Sequence, residues 1–199
     1  SQAVWSKYSE IDKTSANTYF ANLAATNGNE TPLLPIDAGQ LVLNATSALT
    51  LLGTNDFTPA PGGRGGEADI TGTNILVLAP DQTEAQAETA AAAAGIPVPT
   101  GGFIVLNSDQ ISDLGAESVL IGGVRSQESD GSTLITPTAS AIVIDTDAAH
   151  PLSAPDLLVA ANPTANNASN SFVNVSNDVY TYAAQIPVAA TGTGRISVL

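Results

Sequence analysis

The chain has 199 residues, of which 43% are apolar and 12% charged, and it contains neither cysteine nor methionine. Its formal net charge of −14 makes nucleic acid and anionic membrane surfaces unfavourable partners. The lack of cysteine excludes disulfides and thiolate sites, and no run of about 18 apolar residues predicts a membrane-spanning helix. Because Ser1 is not a translation start, we expect a processed product or an excised fragment, amounting to one domain or a segment of something longer.

The amino-terminal residues differ in texture from the rest of the chain. They hold both lysines and the single tryptophan, Trp5. Apolar residues at Tyr19, Phe20, Leu23 and Ala24 have helical spacing, and the turn cluster "NGNETP" follows them. We therefore predict that residues 1–35 form an amino-terminal capping or irregular segment that is partly helical.

From residue 36 onward, short aliphatic runs recur between turn-forming residues. The stretch "GGRGGEADITGTNILVLAP" shows the pattern, with two runs on either side of Gly72. The other runs centre on residues 42, 51, 105, 120, 135, 143, 158 and 197. Their spacing falls at the short end of the roughly 20–50-residue periods of solenoid proteins. Stacking such runs along one axis predicts an all-β parallel β-helix over 36–199.

One stretch of this region predicts a helix instead of a strand. "DQTEAQAETAAAAAG", residues 81–95, combines strong helix formers with acidic residues in its first turns and a terminal Gly95. We expect a short external Ala-rich helix here, packed on the outside of the strands by its alanines. Further along, "NSDQISDLG" predicts one helical turn, with Ser108 as its cap and Gly115 as its stop.

A jelly roll or sandwich would use strands of the same length but would need hairpin turns between paired strands. The dipeptides Asn27-Gly28 and Asp130-Gly131 are the candidates for such turns. We favour the β-helix over the sandwich, and we interpret "ESDG", residues 128–131, as a turn.

Three segments carry a resemblance to a known family. The segments "GGRGGEADITGTNILVLA", "SDQISDLGAESVLIGGVRS" and "ITPTASAIVIDTDAAHPLSAPDLLVAA" are similar to stretches of large filamentous-haemagglutinin-like bacterial exoproteins of two-partner secretion. The similarity covers roughly residues 36–161. It implies an internal or carboxy-terminal segment of a right-handed β-helical shaft, secreted or held at the bacterial cell surface, without catalytic residues or cofactors.

The function expected from this resemblance is that of a structural or adhesive module. It would mediate cell adhesion or form an extracellular filament, with a surface receptor, a glycan or copies of itself as partners. A separate hypothesis is an exported matrix or sheath subunit with no specific ligand.

The sequence "DTDAAH" offers one candidate metal site. Asp145, Asp147 and His150 place two carboxylates near the single histidine, although calcium prefers oxygen ligands throughout and zinc prefers more nitrogen or sulfur. We favour a turn after the strand at 142–144, closed by Pro151, and predict no resident metal. A serine hydrolase would have to be built around His150, and no nucleophile elbow precedes a helix.

The alternative function is a carbohydrate-active enzyme, a polysaccharide lyase or hydrolase on a β-helix scaffold. Such an enzyme needs clustered carboxylates with a basic group, and Arg64 and Arg125 have Glu67, Asp69 and Glu117 near them in sequence. Aromatic residues for sugar subsites make up only 5% of the chain. We therefore interpret both arginines as solvated side chains, and "GGRGG" as an exposed loop, and predict no catalytic residues.

Overall fold

The computed structural model describes residues 13–93, 98–161, 172–175 and 188–198, and the side chains of residues up to 161. The chain divides into two compact units, Ser1–Ile36 and Asp37–Leu199. In the first unit, helix α1 (Ala16–Thr26) begins at Ser15, whose Oγ accepts a hydrogen bond from the Thr18 backbone N–H at 3.2 Å. The helix predicted from the spacing of Tyr19 to Ala24 is thus confirmed, while Trp5 lies outside the described residues.

The second unit carries the strands and two further helices, α2 (Glu84–Ala93) and α3 (Ser108–Ser112). The strands are β1 (Gln40–Asn44), β2 (Glu67–Thr71), β3 (Asn74–Leu78), β4 (Ile104–Asn107), β5 (Ser118–Ile121), β6 (Gly123–Gln127), β7 (Thr133–Pro137), β8 (Ala141–Asp145), β9 (Leu152–Val159), β10 (Phe172–Val175) and β11 (Val188–Val198).

Most of these strands belong to two parallel sheets. The first is a five-stranded sheet in the order β1-β2-β5-β9-β11, and the second is a four-stranded sheet in the order β10-β8-β3-β4. All pairs within them are parallel. The remaining pair, β6 with β7, is an antiparallel hairpin.

The two parallel sheets share one hydrophobic core. Alternate residues of each strand face the same way, so Ala68 and Ile70 of the five-stranded sheet and Ile75 and Val77 of the four-stranded sheet contribute to one buried cluster. The fully buried members of this cluster are all aliphatic, and the partly buried Phe57 packs against it. Each of these four residues has no exposed surface.

The second face of each sheet is also covered in part. Leu76 and Leu78 of β3 pack with Ala87 of α2, which is buried, so the alanines of the helix at 84–93 do lie against the outside of a sheet. The hairpin covers the other sheet, where Ile135 packs on Leu120 and Leu158. Strands that are buried on both faces have continuous aliphatic sequences. This explains why short aliphatic runs recur in the chain.

The predicted all-β right-handed parallel β-helix over 36–199 is wrong. The described residues show mixed α/β content, with parallel and antiparallel pairs and three helices, and no solenoid is found in them. In a solenoid the strands of each sheet stack in the order in which they occur along the chain. Here β4 and β8 both come after β3 in the chain, but they lie on opposite sides of it. Short aliphatic runs indicate that strands are buried, but they do not indicate the order in which the strands pair.

Two local predictions have mixed outcomes. The turn at 128–131 is confirmed: the Glu128 backbone N–H donates to the Ser132 carbonyl at 2.9 Å, and Gly131 has φ of 85°. The cap of α3 is not Ser108 but Asn107, whose side chain accepts from the N–H groups of Asp109 and Gln110. Gly115 has φ of 73° and follows the helix as predicted, whereas Gly95 lies outside the described residues.

No helix within the described ranges is both long and apolar enough to cross a membrane.

Candidate functional site

The predicted metal residues lie in and beside a tight turn after β8. The Asp147 carboxylate accepts hydrogen bonds from the backbone N–H groups of Ala149 and His150 at 2.8 and 2.9 Å. Asp145 is the buried last residue of β8. No group of three or more His, Asp or Glu side chains in the part of the chain with described side chains is placed to hold a metal ion. The turn interpretation is confirmed by these backbone contacts.

His150 contacts α3 instead. Its Nδ1 lies 2.9 Å from Oδ2 of Asp109, and this hydrogen bond raises the pKa of His150 above its ordinary value. A catalytic triad needs a hydroxyl against the imidazole ring. Ser108 Oγ donates to the backbone carbonyl of His150 at 2.9 Å, so it serves as a link between α3 and the start of β9.

Arg64 lies in an exposed loop, as predicted for "GGRGG". Its side chain is 81% exposed and its guanidinium lies 3.2 Å from the Asp37 carboxylate. The Arg64 backbone N–H also donates to Asp37 at 2.8 Å, which holds the pKa of Asp37 below its usual value. Nearby, the Glu117 carboxylate accepts from the backbone N–H of Gly65. These contacts hold the loop against the segments that lead into β1 and β5.

Arg125 is not solvated, and that part of the prediction is wrong. Its side chain is 5% exposed and lies 3.5 Å from Asp69, which has no exposed surface, and 3.5 Å from Glu67. Asp69 also accepts from the Arg125 backbone N–H and from the Gln40 side chain, both at 2.7 Å. Because the hairpin β6–β7 lies on the outer face of the five-stranded sheet, it carries Arg125 into contact with the outward-facing Asp69.

This cluster brings together the groups that the enzyme alternative requires, since it places two carboxylates beside a guanidinium. Burial raises the pKa of Asp69, and the Arg125 N–H and guanidinium oppose that rise. Arg125 lies on β6 and Asp69 on β2, and both side chains are buried. We therefore interpret the cluster as a cross-link that holds the hairpin on the sheet. Asp69 within the apolar run "EADIT" is the sequence signal that would have indicated it.

Two cavities lie along β4, the edge strand of the four-stranded sheet. One of about 330 Å³ is lined by Thr46, Ser47, Thr73, Asn74, Gly101, Gly102, Phe103 and Ile104. The other, of about 200 Å³, is lined by Leu49, Thr50, residues 78–80, Gln82, residues 105–107 and Gln110. Residues 46–50 thus run beside β4, and no backbone hydrogen bond joins the two segments where the structure describes them.

At the β1 edge of the five-stranded sheet, the backbone groups of every second residue face away from β2. Glu67 N–H donates to Gly39 and Ala45 N–H donates to Thr71, so odd-numbered residues of this segment bond to β2. Since backbone groups alternate along a strand, the N–H and C=O groups of Gln40, Val42 and Asn44 point to the free edge. Val42 is 46% exposed.

Comparisons of the chain with models of protein families, with curated protein sequences and with solved structures found no match. The resemblance to filamentous-haemagglutinin-like exoproteins accordingly stays a prediction.

Proposed function

We propose that the protein is a structural and adhesive module of a secreted or cell-surface bacterial exoprotein, which associates end to end with copies of itself and carries a surface for attachment. The observation that carries the proposal is the pair of parallel sheets with edge strands at both ends. β1 and β4 are the edges at one end, and β11 and β10 are the edges at the other, in the residues that the structure describes.

Strand polarity supports association head to tail. Every pair in both sheets is parallel, so a second copy that adds its β11 beside β1 continues the sheet without reversing direction. Such a contact joins two different surfaces of the molecule. It produces an open chain of copies unless the rotation between neighbouring copies closes a ring. Edge strands that display unpaired backbone groups are templates for pairing of this kind. The expected product is a linear oligomer.

The test measures assembly of the full chain by sedimentation velocity over a range of concentrations, with electron microscopy of the products. We expect linear oligomers that grow with concentration. Val42→Pro should reduce assembly strongly, because it removes a backbone N–H that faces the free edge and leaves the bonds to β2 in place. Val42→Thr is the matched control, since it keeps the N–H and the branched shape.

Two results would overturn the proposal. The first is an unchanged chain that stays monomeric at every concentration. The second is a Val42→Pro variant that assembles as well as both the unchanged protein and the Val42→Thr control. Circular dichroism of both variants shows whether the sheets are retained.

The alternative, a carbohydrate-active enzyme, rests on the contact of Arg125 with Glu67 and Asp69. Glu67 is the accessible member, with a side chain 44% exposed, while Asp69 is buried. A Glu67→Gln variant that lost a polysaccharide-cleaving activity of the unchanged chain would favour the enzyme over the structural module.

A further inference from the structure

The larger cavity beside β4 differs from the rest of the surface in its chemistry. Its lining contains three hydroxyl side chains and one carboxamide, those of Thr46, Ser47, Thr73 and Asn74, and no charged side chain. In a chain with a net charge of −14, a cavity whose lining holds no carboxylate is a distinct environment. The Glu84 carboxylate lies outside the lining, 3.9 Å from the position of a Cβ added at Gly102, and together with the field of the whole molecule it opposes an anion.

The polar groups of the cavity can both donate and accept. A hydroxyl offers one donor and two acceptor positions, and a carboxamide offers both functions at fixed places. The Asn74 side-chain amide donates to the Gly102 carbonyl at 3.2 Å, which fixes the amide plane and leaves its oxygen as an acceptor. Gly102 holds this position at φ of 70°, a backbone conformation that favours glycine.

The lining also has an apolar part. Phe103 and Ile104 line the cavity and are 8% and 6% exposed, because they also belong to the buried clusters of the second unit. A ligand that fits must therefore offer hydroxyl groups to the polar side chains and a C–H face to these two residues. The volume of about 330 Å³ lies near the lower limit for small-molecule sites, about 300 Å³.

We propose that this cavity is a binding site for a neutral saccharide of mono- or disaccharide size. Its hydroxyls and carboxamide bond the sugar hydroxyls, and Phe103 and Ile104 contact the ring. The site deepens the attachment part of the proposed function, on which it rests, and it is independent of assembly through strand edges.

The test uses saturation-transfer difference NMR on the full chain. The probes are glucose, galactose, mannose, N-acetylglucosamine and lactose, with glucuronic acid and sialic acid as anionic counterparts. We expect transfer to at least one neutral sugar and none to the acids. Ser47→Ala and Thr73→Val should each weaken binding about fivefold, which corresponds to about 1 kcal/mol for one hydrogen bond.

Gly101→Leu is the decisive variant. Gly101 lines the cavity, its φ lies outside the left-handed region, and an added Cβ there meets nothing within 4 Å, so a larger side chain fits at the cavity without backbone strain. We expect it to abolish sugar binding. Gly39→Leu is the matched control, because its Cβ also meets nothing within 4 Å and it does not line the cavity.

Three outcomes overturn the site: no transfer to any neutral sugar, stronger transfer to the acidic sugars, or binding that survives Gly101→Leu. Attachment of the labelled chain to whole cells, measured beside sugar binding, separates the two proposals. Sugar binding and attachment that both persist in Gly101→Leu refute the site while the adhesive function stands. An unchanged chain that does not attach to cells refutes the adhesive function itself.

Discussion

At the scale of single residues, two arginines show how much the surroundings of a charge matter. Arg64 and Asp37 form a pair with side chains 81% and 45% exposed, where water competes for both charges. Arg125 and Asp69 form a pair that is 5% and 0% exposed. Two guanidinium nitrogens of Arg125 and one oxygen of Asp69 have no hydrogen-bond partner among the described residues, so this pair depends on mutual attraction at 3.5 Å.

Replacing Arg125 should therefore destabilise the fold far more than replacing Arg64. Arg125→Met keeps the apolar stem but leaves Asp69 buried without its counter-charge, which costs about 3–5 kcal/mol of unfolding free energy. Arg64→Met, the matched control, should cost about 0–1 kcal/mol because its pair is exposed. Urea unfolding of both variants measures the difference, and equal losses would contradict the buried cross-link.

The histidine contact predicts a pH dependence. The raised pKa of His150 means that the folded state binds its proton more tightly than the unfolded state does. The stabilisation is fully present below about pH 6.5, the ordinary histidine pKa, and is lost as the pH rises through the higher folded value. Asp147 and Asp81 also raise this pKa, so Asp109→Asn should lower it only in part.

An NMR titration of the His150 ring in the unchanged chain and in Asp109→Asn checks this expectation. Asp113→Asn is the control, because it removes the same charge from the end of α3. A pKa that falls equally in both variants would show that general charge, and not the hydrogen bond to Asp109, raises it.

At the scale of elements, the corner between β5 and β6 consists of the single residue Gly122. Gly122 has φ of 90°, and an added Cβ would overlap the Ala160 carbonyl and the side chain of Ile142. Its backbone N–H donates to Ile70 at 2.7 Å, and its carbonyl accepts from Thr138 at 2.7 Å. This residue thus joins the hairpin, β2 and the segment before β8 through its backbone.

Gly122→Ala should destabilise the fold by about 2–5 kcal/mol, from backbone strain together with steric overlap. Gly131→Ala separates the two causes, because Gly131 has φ of 85° and nothing within 4 Å of an added Cβ. That variant should cost about 1–2 kcal/mol. Thermal unfolding measures both, and similar losses would indicate that close packing at Gly122 contributes little.

The elements themselves were largely predictable from the sequence, because period and capping are local properties. The spacing of Tyr19 to Ala24 predicted α1, the helix formers at 81–95 predicted α2, and "ESDG" at 128–131 predicted the turn that lies between β6 and β7. The aliphatic run centred on residue 51 is an exception, because it forms no strand. The position of Arg125 was not predictable in the same way. Its environment depends on the hairpin lying over β2, which is a contact between residues 56 positions apart.

At the scale of the whole molecule, strand order is the property that the sequence did not reveal. Aliphatic runs are required wherever a strand is buried on both faces, whichever neighbours it has. The chain between β3 and β4 passes through α2 and residues 98–103. Composition does not determine on which side of β3 this connection places β4. For the same reason the cavity beside β4 could not be anticipated, since its lining comes from three separate segments.

From the net charge we predict how the association of whole molecules depends on salt. Copies carrying −14 each repel one another, and raising ionic strength from 0.01 to 0.15 M shortens the screening length from about 30 to about 8 Å. End-to-end association should therefore strengthen with salt. Sedimentation at both salt concentrations measures it, and weaker association at the higher salt would mean that attraction between charged groups drives the contact.

The antiparallel hairpin has a practical consequence. Its tip, residues 128–131, is exposed, and its base is held by Gly122 and Arg125. A peptide epitope or fluorophore grafted between Ser129 and Gly131 would thus project from a clamped stem without disturbing the aliphatic interior, giving a handle for imaging or purification at a defined point of the chain.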